Sequence, residues 1–314
     1  MTRAPLERAF FLVEALVTAL LYPWYRLWQR LSKRPTIPVL MYHQIGSPLG
    51  RRAGSDDCVS PERFALHMRV IAQAGYQVVP LRSVVSGLGQ GPATELRKCV
   101  AITFDDGYRD QVVHALPVLR RHGMSATFFL VAGCVGTDAL LPHLSRDGVA
   151  AVPAGWLPLT WDDARALVAQ GMDVGSHAVS HRSLGRLGLD EARREIEQSR
   201  TILEKGLGTR VRLFAYPFGS GTYGDFDSTV AELLRAAGYE GACTTVWGTN
   251  APGVDRFALR RIPMAEGDGA FRVRCKLAGA YDWVGVVKDA WQRLVPREDR
   301  VDAGVPALVT TDAP

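Results

Sequence analysis

Two adjacent carboxylates at the end of an apolar run are the first residues with the types and spacing for chemistry. The run from Cys99 to Phe104 is short and rich in β-branched and aromatic residues, and Asp105, Asp106 and Gly107 follow it. This pattern is typical of a buried strand that ends at the acids. Because charge is costly to bury, the acids either close a turn through Asp106 and Gly107 or serve a functional site.

Two histidines four residues apart, His177 and His181, form a second group. If this segment makes a helical turn, both imidazoles share one face and can bind a metal ion through nitrogen. One carboxylate would complete a three-ligand site with room for water and substrate. The pair alone also fits a polar helix start, with His177 bonded to backbone and His181 in solvent. The acid pair at another strand end favours the metal site.

The elements that must position these residues alternate between strand and helix along most of the chain. This order predicts βα units and an α/β fold with a parallel sheet or barrel. The residues of interest fall at or just after the C-terminal ends of predicted strands: His43, Asp105, Asp106, His177 and Pro217. In a β/α barrel, that face is where sites are built, so we predict one site that contains them all.

The N-terminal stretch of residues 1–35 differs from the rest. Apolar residues recur at helical spacing from Leu6 to Leu31, which predicts an apolar, partly amphipathic helix. Aromatic and basic residues gather near its end: Trp24, Tyr25, Arg26, Trp28, Arg30, Lys33 and Arg34. This pattern favours a membrane anchor or an interfacial helix over residues 6–31, and the alternative is a helix packed on the main domain. Glu14 and the short uncharged run argue against a membrane span.

The composition argues against several kinds of partner and structural site. A net charge of +5 over 314 residues is too small to indicate a nucleic-acid partner, and it is compatible with an anionic membrane surface. The five cysteines are scattered, with no Cys-x-x-Cys pair, which argues against a disulfide framework or a cysteine-ligated zinc site. We predict a main domain over residues 36–294 and a loose tail over 295–314.

Three segments resemble, in order, the first three motifs of the NodB-type polysaccharide deacetylases, carbohydrate esterase family four. They are Thr103–Gly107 (TFDDG), His177–His181 (HAVSH) and Phe214–Gly219 (FAYPFG). Residues 38–45 (PVLMYHQI) resemble the start of the poly-N-acetylglucosamine deacetylase branch. The resemblance covers residues 36–265 and implies the distorted, incomplete (β/α) barrel of NodB-homology proteins, here preceded by the N-terminal helix.

The resemblance implies a role for each motif. Asp106, His177 and His181 would hold a divalent metal ion, commonly zinc, and Asp105 would act as general base toward the attacking water. The substrate and oxyanion loop would be the segment Tyr216, Pro217, Phe218 and Gly219, with the backbone N–H of Phe218 as the oxyanion donor.

Two departures from the family pattern stand out. No histidine follows His181, so the late-motif histidine that serves many members as general acid is absent. In the branch that this chain resembles, the early Tyr-His segment supplies it, which assigns the role to His43. Ala215 stands where many members have an arginine that pairs with the base, and Arg260 or Arg261 could orient Asp105 instead.

The resemblance implies a metal-dependent hydrolase that removes N-acetyl groups from amino sugars of a polysaccharide, oligosaccharide or lipid-linked glycan, in exopolysaccharide or cell-envelope carbohydrate metabolism. The alternatives are a deformylase or deacylase of a lipid-linked amino sugar, and a non-catalytic glycan-binding subunit of an exopolysaccharide assembly system. We expect association with a bacterial-type inner membrane. The unpaired cysteines and the basic residues after the helix favour the cytoplasmic side of the membrane for the main domain. Members of the family that the chain resembles often act outside the cell envelope's inner membrane instead. The oligomeric state is left open.

Overall fold

The computed structural model of the chain describes residues 14, 16–25, 27, 31, 36–46, 58–89, 96–138, 141 and 154–294. The predicted tail at 295–314 and much of the predicted N-terminal unit lie outside the described residues.

The strands of the described residues form a closed ring, one short strand added to it, and a separate parallel pair, β2 and β3. Their bounds are β1 (Val39–Tyr42), β2 (Gln44–Ile45), β3 (Cys58–Val59), β4 (Gln77–Val78), β5 (Cys99–Phe104), β6 (Thr127–Leu130), β7 (Asp173–Ser176), β8 (Leu213–Ala215), β9 (Gly241–Trp247) and β10 (Leu259–Pro263). The ring runs β1-β10-β9-β8-β7-β6-β5, and β1 pairs with β5 to close it. Every pairing in this ring is parallel, and β4 adds to the start of β5. The prediction of a distorted β/α barrel is confirmed, with seven strands in the ring.

Helices follow most of the strands. They are α1 (residues 16–25), α2 (Pro61–Gln73), α3 (Leu81–Gly89), α4 (Leu116–Arg121), α5 (Trp161–Ala169), α6 (Leu189–Leu207), α7 (Ser228–Ala236), α8 (Ala270–Leu277) and α9 (Asp282–Leu294). Local signals begin several of them: Ser60 caps α2, with Pro61 in its first turn, and Thr160 forms a capping box with Asp163 at α5. A π-helical turn (Gln111–Ala115) precedes α4, in a segment where Pro117 predicts a kink or a late start of the helix.

The side chains of β5 show how the ring is filled. Val100 and Ile102 pack against the surrounding helices, whereas Cys99 and Ala101 point the other way and meet residues from across the ring. By the same alternation, Thr103 lies on the Ala101 side and bonds to Arg261 of β10. The interior of the ring is therefore apolar toward the N-terminal ends of the strands and polar near their C-terminal ends.

The predicted N-terminal helix is present over residues 16–25. Within the described residues, none of the helices has both the length and the apolar character needed to cross a bilayer. Thr18 of this helix accepts a hydrogen bond from the Trp283 indole of α9 (3.3 Å), so the helix contacts the main domain.

Candidate metal centre and catalytic site

Asp106, His177 and His181 converge at the C-terminal end of the ring. The Nε2 atoms of His181 and His177 lie 3.3 and 3.6 Å from Oδ1 of Asp106. Each residue is buried, and one ligand atom from each lies within 4.8 Å of the others. Two imidazole nitrogens and one carboxylate oxygen are the donor set of a three-ligand metal site. The three residues predicted as metal ligands are therefore brought together with donor atoms that fit a divalent ion.

The turn after β5 explains how two adjacent acids serve different partners. Asp106 has φ of 74° and Gly107 also has φ of 74°, so the chain leaves the extended conformation directly after Asp105. Aspartate tolerates this left-handed region better than most residues. At Gly107, an added Cβ would lie 2.8 Å from Cδ2 of Leu130, so any side chain would also clash. The tight turn therefore requires glycine after the acid pair.

The segment from His177 to His181 is a loop, so the predicted helical turn is wrong. Ala178 and His181 have φ of 63° and 57°, which breaks any helical path between the two histidines. The carboxylate of Glu195 on α6 accepts hydrogen bonds from the backbone N–H of Val179 (2.8 Å) and Ser180 (2.9 Å). It also accepts one from the Ser180 hydroxyl (2.5 Å). The convergence of the histidines therefore depends on this loop and its glutamate.

Glu195 is a residue that the sequence analysis missed. It lies three positions after the buried Ala192 and four before the buried Ser199, which places it beside the buried stripe of α6. An acidic residue at such a position is unusual without a partner, and this was the available signal.

The His177 ring is oriented by the next strand. Its Nδ1–H donates to the backbone oxygen of Ala215 (2.7 Å), which leaves Nε2 as the donor atom toward Asp106. Burial lowers the pKa of His177 to about 4, so the ring is neutral at physiological pH. Metal ligation requires this neutral form.

Asp105 forms a buried ion pair with Arg261. The two terminal nitrogens of Arg261 bond to the two carboxylate oxygens at 2.6 and 2.7 Å, and its Nε donates to the backbone oxygen of Thr244 (2.7 Å). Burial alone would raise the pKa of Asp105, but the attraction of Arg261, and less so of His177, outweighs it and the pKa is lowered. Asp105 is therefore an oriented, ionised carboxylate. Of the two arginines considered, Arg261 is the partner, because Arg260 is exposed.

His43 follows β1 and lies beside Asp105, with 3.9 Å between its Nε2 and Oδ2 of the acid. Its side chain is 24% exposed, so it borders solvent while the acid is buried. The side-chain amide of Gln111 donates to the backbone oxygens of both His43 and Asp105, each at 2.7 Å. Gln111 therefore bridges the ends of β1 and β5. No pattern in the sequence distinguishes it from other glutamines.

The predicted substrate loop, Tyr216 to Gly219, lies beside His181. The ring of Phe218 contacts the His181 ring edge-on with 4.9 Å between centroids. Phe218 and Gly219 have φ of 61° and 59°, and a Cβ on Gly219 would lie 2.7 Å from the backbone nitrogen of Thr245. The backbone path of this loop is thus held against β9, next to the candidate metal centre.

Tyr216 needs a correction within that loop. Its ring is fully buried and stacks on Phe226, and its hydroxyl donates to the backbone oxygen of Phe257 (2.9 Å). A side chain committed to the core cannot contact substrate. Its contribution is to support the loop that Pro217, Phe218 and Gly219 form.

Residues 93–242 match the polysaccharide deacetylase family. This chain carries a polysaccharide deacetylase domain. The family comprises hydrolases that act on amide C–N bonds, and its substrates are N-acetylated glycans. The motifs recognised in the sequence and the family assignment thus agree over the same strands.

The deacetylase domain resembles proteins from several bacteria. The Bacillus subtilis protein YxkH, named as a candidate polysaccharide deacetylase, is 26% identical over 240 residues, which cover 76% of this chain and 75% of YxkH. The Streptococcus pyogenes deacetylase PplD, solved in complex with acetate, superposes with a TM-score of 0.63 at 24% identity, over 78% of this chain and 99% of PplD. IcaB from Ammonifex degensii gives the same TM-score and identity over 78% of this chain and 97% of its own. These two structures establish the shared fold.

Proposed function

We propose that this deacetylase-domain protein removes N-acetyl groups from amino sugars of a polysaccharide, oligosaccharide or lipid-linked glycan, in exopolysaccharide or cell-envelope carbohydrate metabolism. The observation that carries the proposal is the position of Asp105. An ionised carboxylate, held by Arg261, lies next in sequence to one member of a buried Asp-His-His cluster. A base beside a metal site is the arrangement that hydrolysis of an amide by water requires.

Asp106, His177 and His181 would hold the divalent ion, and their donor set fits zinc. When bound, the ion supplies Lewis acidity to the water and to the amide carbonyl. The hydrogen bond from His177 Nδ1 to the Ala215 carbonyl keeps the ring in the tautomer that presents Nε2.

Asp105 takes the proton of the attacking water. Each of its oxygens accepts one hydrogen bond from Arg261, which leaves a further acceptor site on each. As the water oxygen bonds to the acetyl carbon, negative charge develops on the carbonyl oxygen. We assign the backbone N–H of Phe218 as a donor to that oxygen, because its loop lies against His181.

His43 donates a proton to the leaving amine. When the C–N bond breaks, the bonding electron pair stays on nitrogen and accepts that proton, which yields the free amino sugar and acetate. His43 lies near Asp105 and is partly open to solvent, which suits a group that meets substrate at the solvent-facing side of the site.

The test is acetate release from chito-oligosaccharides and poly-N-acetylglucosamine fragments by the full chain loaded with zinc. We expect Asp105→Asn to abolish release while metal content stays at the wild-type level, because the three ligands are unchanged. The exposed Asp138→Asn is the matched control and should retain activity. Absence of acetate from the metal-loaded wild type would contradict the proposal. A different acid in the products would identify another acyl group, and glycan binding without any release would indicate a non-catalytic role.

We also propose that the protein works at a bacterial-type inner membrane with its deacetylase domain on the cytoplasmic side. The support is the basic segment after the N-terminal apolar stretch and the five cysteines, which are all buried thiols. Reporter fusions at the C-terminus test the side. Activity of a cytoplasmic reporter is expected, and activity of a periplasm-dependent reporter would contradict this orientation.

A further inference from the structure

The N-terminal helix presents a row of large apolar side chains to solvent. We call this set the outer row: Leu16, Leu20, Trp24, Leu27 and Leu31, which are 63%, 66%, 70%, 48% and 73% exposed. Their spacing of three or four residues places them along one side of a helix. The described residues of this stretch are all helical.

The opposite side of the helix holds polar residues and faces the deacetylase domain. Glu14 is buried and forms an ion pair with Arg272 of α8 (3.6 Å between Oε1 and an arginine nitrogen). Thr18 is fully buried and accepts the hydrogen bond from Trp283 of α9. Tyr22 contacts the ring of Phe271, with 5.5 Å between centroids.

This arrangement inverts the usual polarity of a helix on a globular domain. A surface helix normally buries its apolar stripe against the core and turns its polar side to water. Here Glu14 and Thr18 are buried while the outer row is mostly exposed, so the domain leaves most of the apolar surface of the outer row uncovered. Exposed apolar surface of this extent marks a contact site for another apolar phase.

We propose that the outer row inserts into the surface of an anionic lipid membrane, with the helix lying parallel to the bilayer plane. The inference rests on the proposed membrane localisation but is independent of the proposed reaction. Insertion would bury the outer row among acyl chains while the polar side of the helix stays on the deacetylase domain.

Charge in this part of the sequence favours a lipid surface as the occupant. Residues 1–35 contain six lysines and arginines against two glutamates, in a chain whose net charge is +5. Four of the six basic residues fall between positions 26 and 34, among and after the last members of the outer row. Basic residues interleaved with leucine and tryptophan match the headgroup and acyl boundary of an anionic leaflet.

The contacts of the inner side decide between lying on the membrane and crossing it. A spanning helix would be surrounded by lipid, and the buried Glu14 would lose its ion pair with Arg272. An in-plane helix keeps these contacts.

Val286 and Val287 lie three and four residues after Trp283, on the same side of α9, and are 66% and 44% exposed. They add exposed apolar surface to the side of α9 that carries Trp283.

Vesicle flotation of the full chain tests the proposal. We expect binding to phosphatidylcholine vesicles that contain phosphatidylglycerol, weaker binding to pure phosphatidylcholine, and a reduction of the difference at high salt. The triple variant Leu20→Gln, Trp24→Gln, Leu27→Gln should reduce partitioning by more than about tenfold, because three inserted apolar groups are lost. The control Leu189→Gln changes a leucine on α6 that is 57% exposed, within the range of the three substituted residues, and should float like the wild type.

Acetate release from a soluble oligosaccharide separates this inference from the proposed reaction. The triple variant should keep the wild-type rate, because its changes lie outside the catalytic site, and this also shows that it folds. Failure of the wild type to bind either vesicle would overturn the membrane proposal, as would equal binding by the triple variant. The wild type could instead bind no vesicles and sediment as a dimer in analytical ultracentrifugation, with the triple variant as a monomer. That result would overturn the membrane proposal and assign the outer row to contact with a second copy of the chain.

Discussion

Arg261 and Asp105 share two parallel hydrogen bonds of 2.6 and 2.7 Å inside the barrel, and both side chains are excluded from solvent. They come from β10 and from the end of β5, 156 residues apart in sequence. A buried carboxylate without such a partner would take up a proton, and a protonated acid cannot serve as a base. The pair therefore keeps the base ionised and fixes its orientation.

The substitution Arg261→Met should leave Asp105 as a buried charge without its partner. Breaking a buried pair on one side costs about 3–5 kcal/mol in free energy of unfolding, to be measured by urea denaturation. We expect acetate release to fall by more than about a hundredfold, consistent with the loss of oriented base catalysis. The low-pH limb of the activity profile should also shift upward, since the pKa of Asp105 rises. Metal content should stay unchanged, because the ligands are intact.

Arg260→Met is the matched control for that change, since its side chain is exposed and one residue away. It should keep wild-type stability and activity. If Arg261→Met retained full activity with an unchanged pH profile, the positioning role of the arginine would be wrong.

Gln111 acts as a positioning residue for both proposed proton-transfer groups. The substitution Gln111→Leu removes the two donors that join the backbone oxygens of His43 and Asp105. We expect kcat to fall by about tenfold to a hundredfold with little change in KM, because displacement of reacting groups by a fraction of an ångström slows chemistry more than binding. Steady-state kinetics with zinc analysis checks this. Gln198→Leu, on the exposed side of α6, should behave as wild type, and a change confined to KM would refute the role.

Glu195 should control metal affinity. In Glu195→Gln the amide retains one acceptor atom and loses its charge, so the bonds to Val179 N–H, Ser180 N–H and the Ser180 hydroxyl weaken. We expect zinc affinity to fall by about 10- to 100-fold, measured by competition with a chelator, and activity to recover in excess zinc. Glu197→Gln, exposed on the same helix, should retain wild-type affinity. Equal affinities for both variants would show that the loop holds without Glu195.

His67 should make stability depend on pH. Its Nδ1 accepts from the Tyr42 hydroxyl (3.0 Å) and its Nε2–H donates to the Asp268 backbone oxygen (2.9 Å), so the neutral ring satisfies both atoms. Burial lowers its pKa to about 4 from 6.5. Below pH 6.5 the unfolded chain therefore binds a proton that the folded chain does not. The free energy of unfolding decreases as the pH is lowered from 6.5 to about 4. The full effect approaches about 3 kcal/mol.

The variant His67→Gln isolates that contribution. Its free energy of unfolding should depend less on pH than that of the wild type between pH 6.5 and 4, as measured by urea denaturation at several pH values. His122→Gln, at the end of α4, is the control and should follow the wild type. Parallel curves for wild type and His67→Gln would mean that His67 is protonated in the folded protein.

Sequence reasoning located the strand ends because their signals are local. The apolar run before Asp105, the caps at Ser60 and Thr160 and the glycine after the acid pair each reflect the conformational preference of a few neighbouring residues. The same reasoning failed at His177 to His181, where spacing suggested a helical turn. A loop held by Glu195 brings the two rings together instead, and spacing alone does not distinguish the two.

The sequence by itself determined a parallel βα architecture, and its motifs indicated a site at the strand ends with Asp106, His177 and His181 as metal ligands. Only the tertiary structure decided which arginine pairs with Asp105, that Gln111 joins the ends of β1 and β5, and that Tyr216 belongs to the core. The physical reason for this division is the sequence separation of the residues that interact. Strand ends and caps depend on neighbours in sequence, whereas these contacts join side chains and backbone atoms that only the closure of the ring brings within hydrogen-bonding distance.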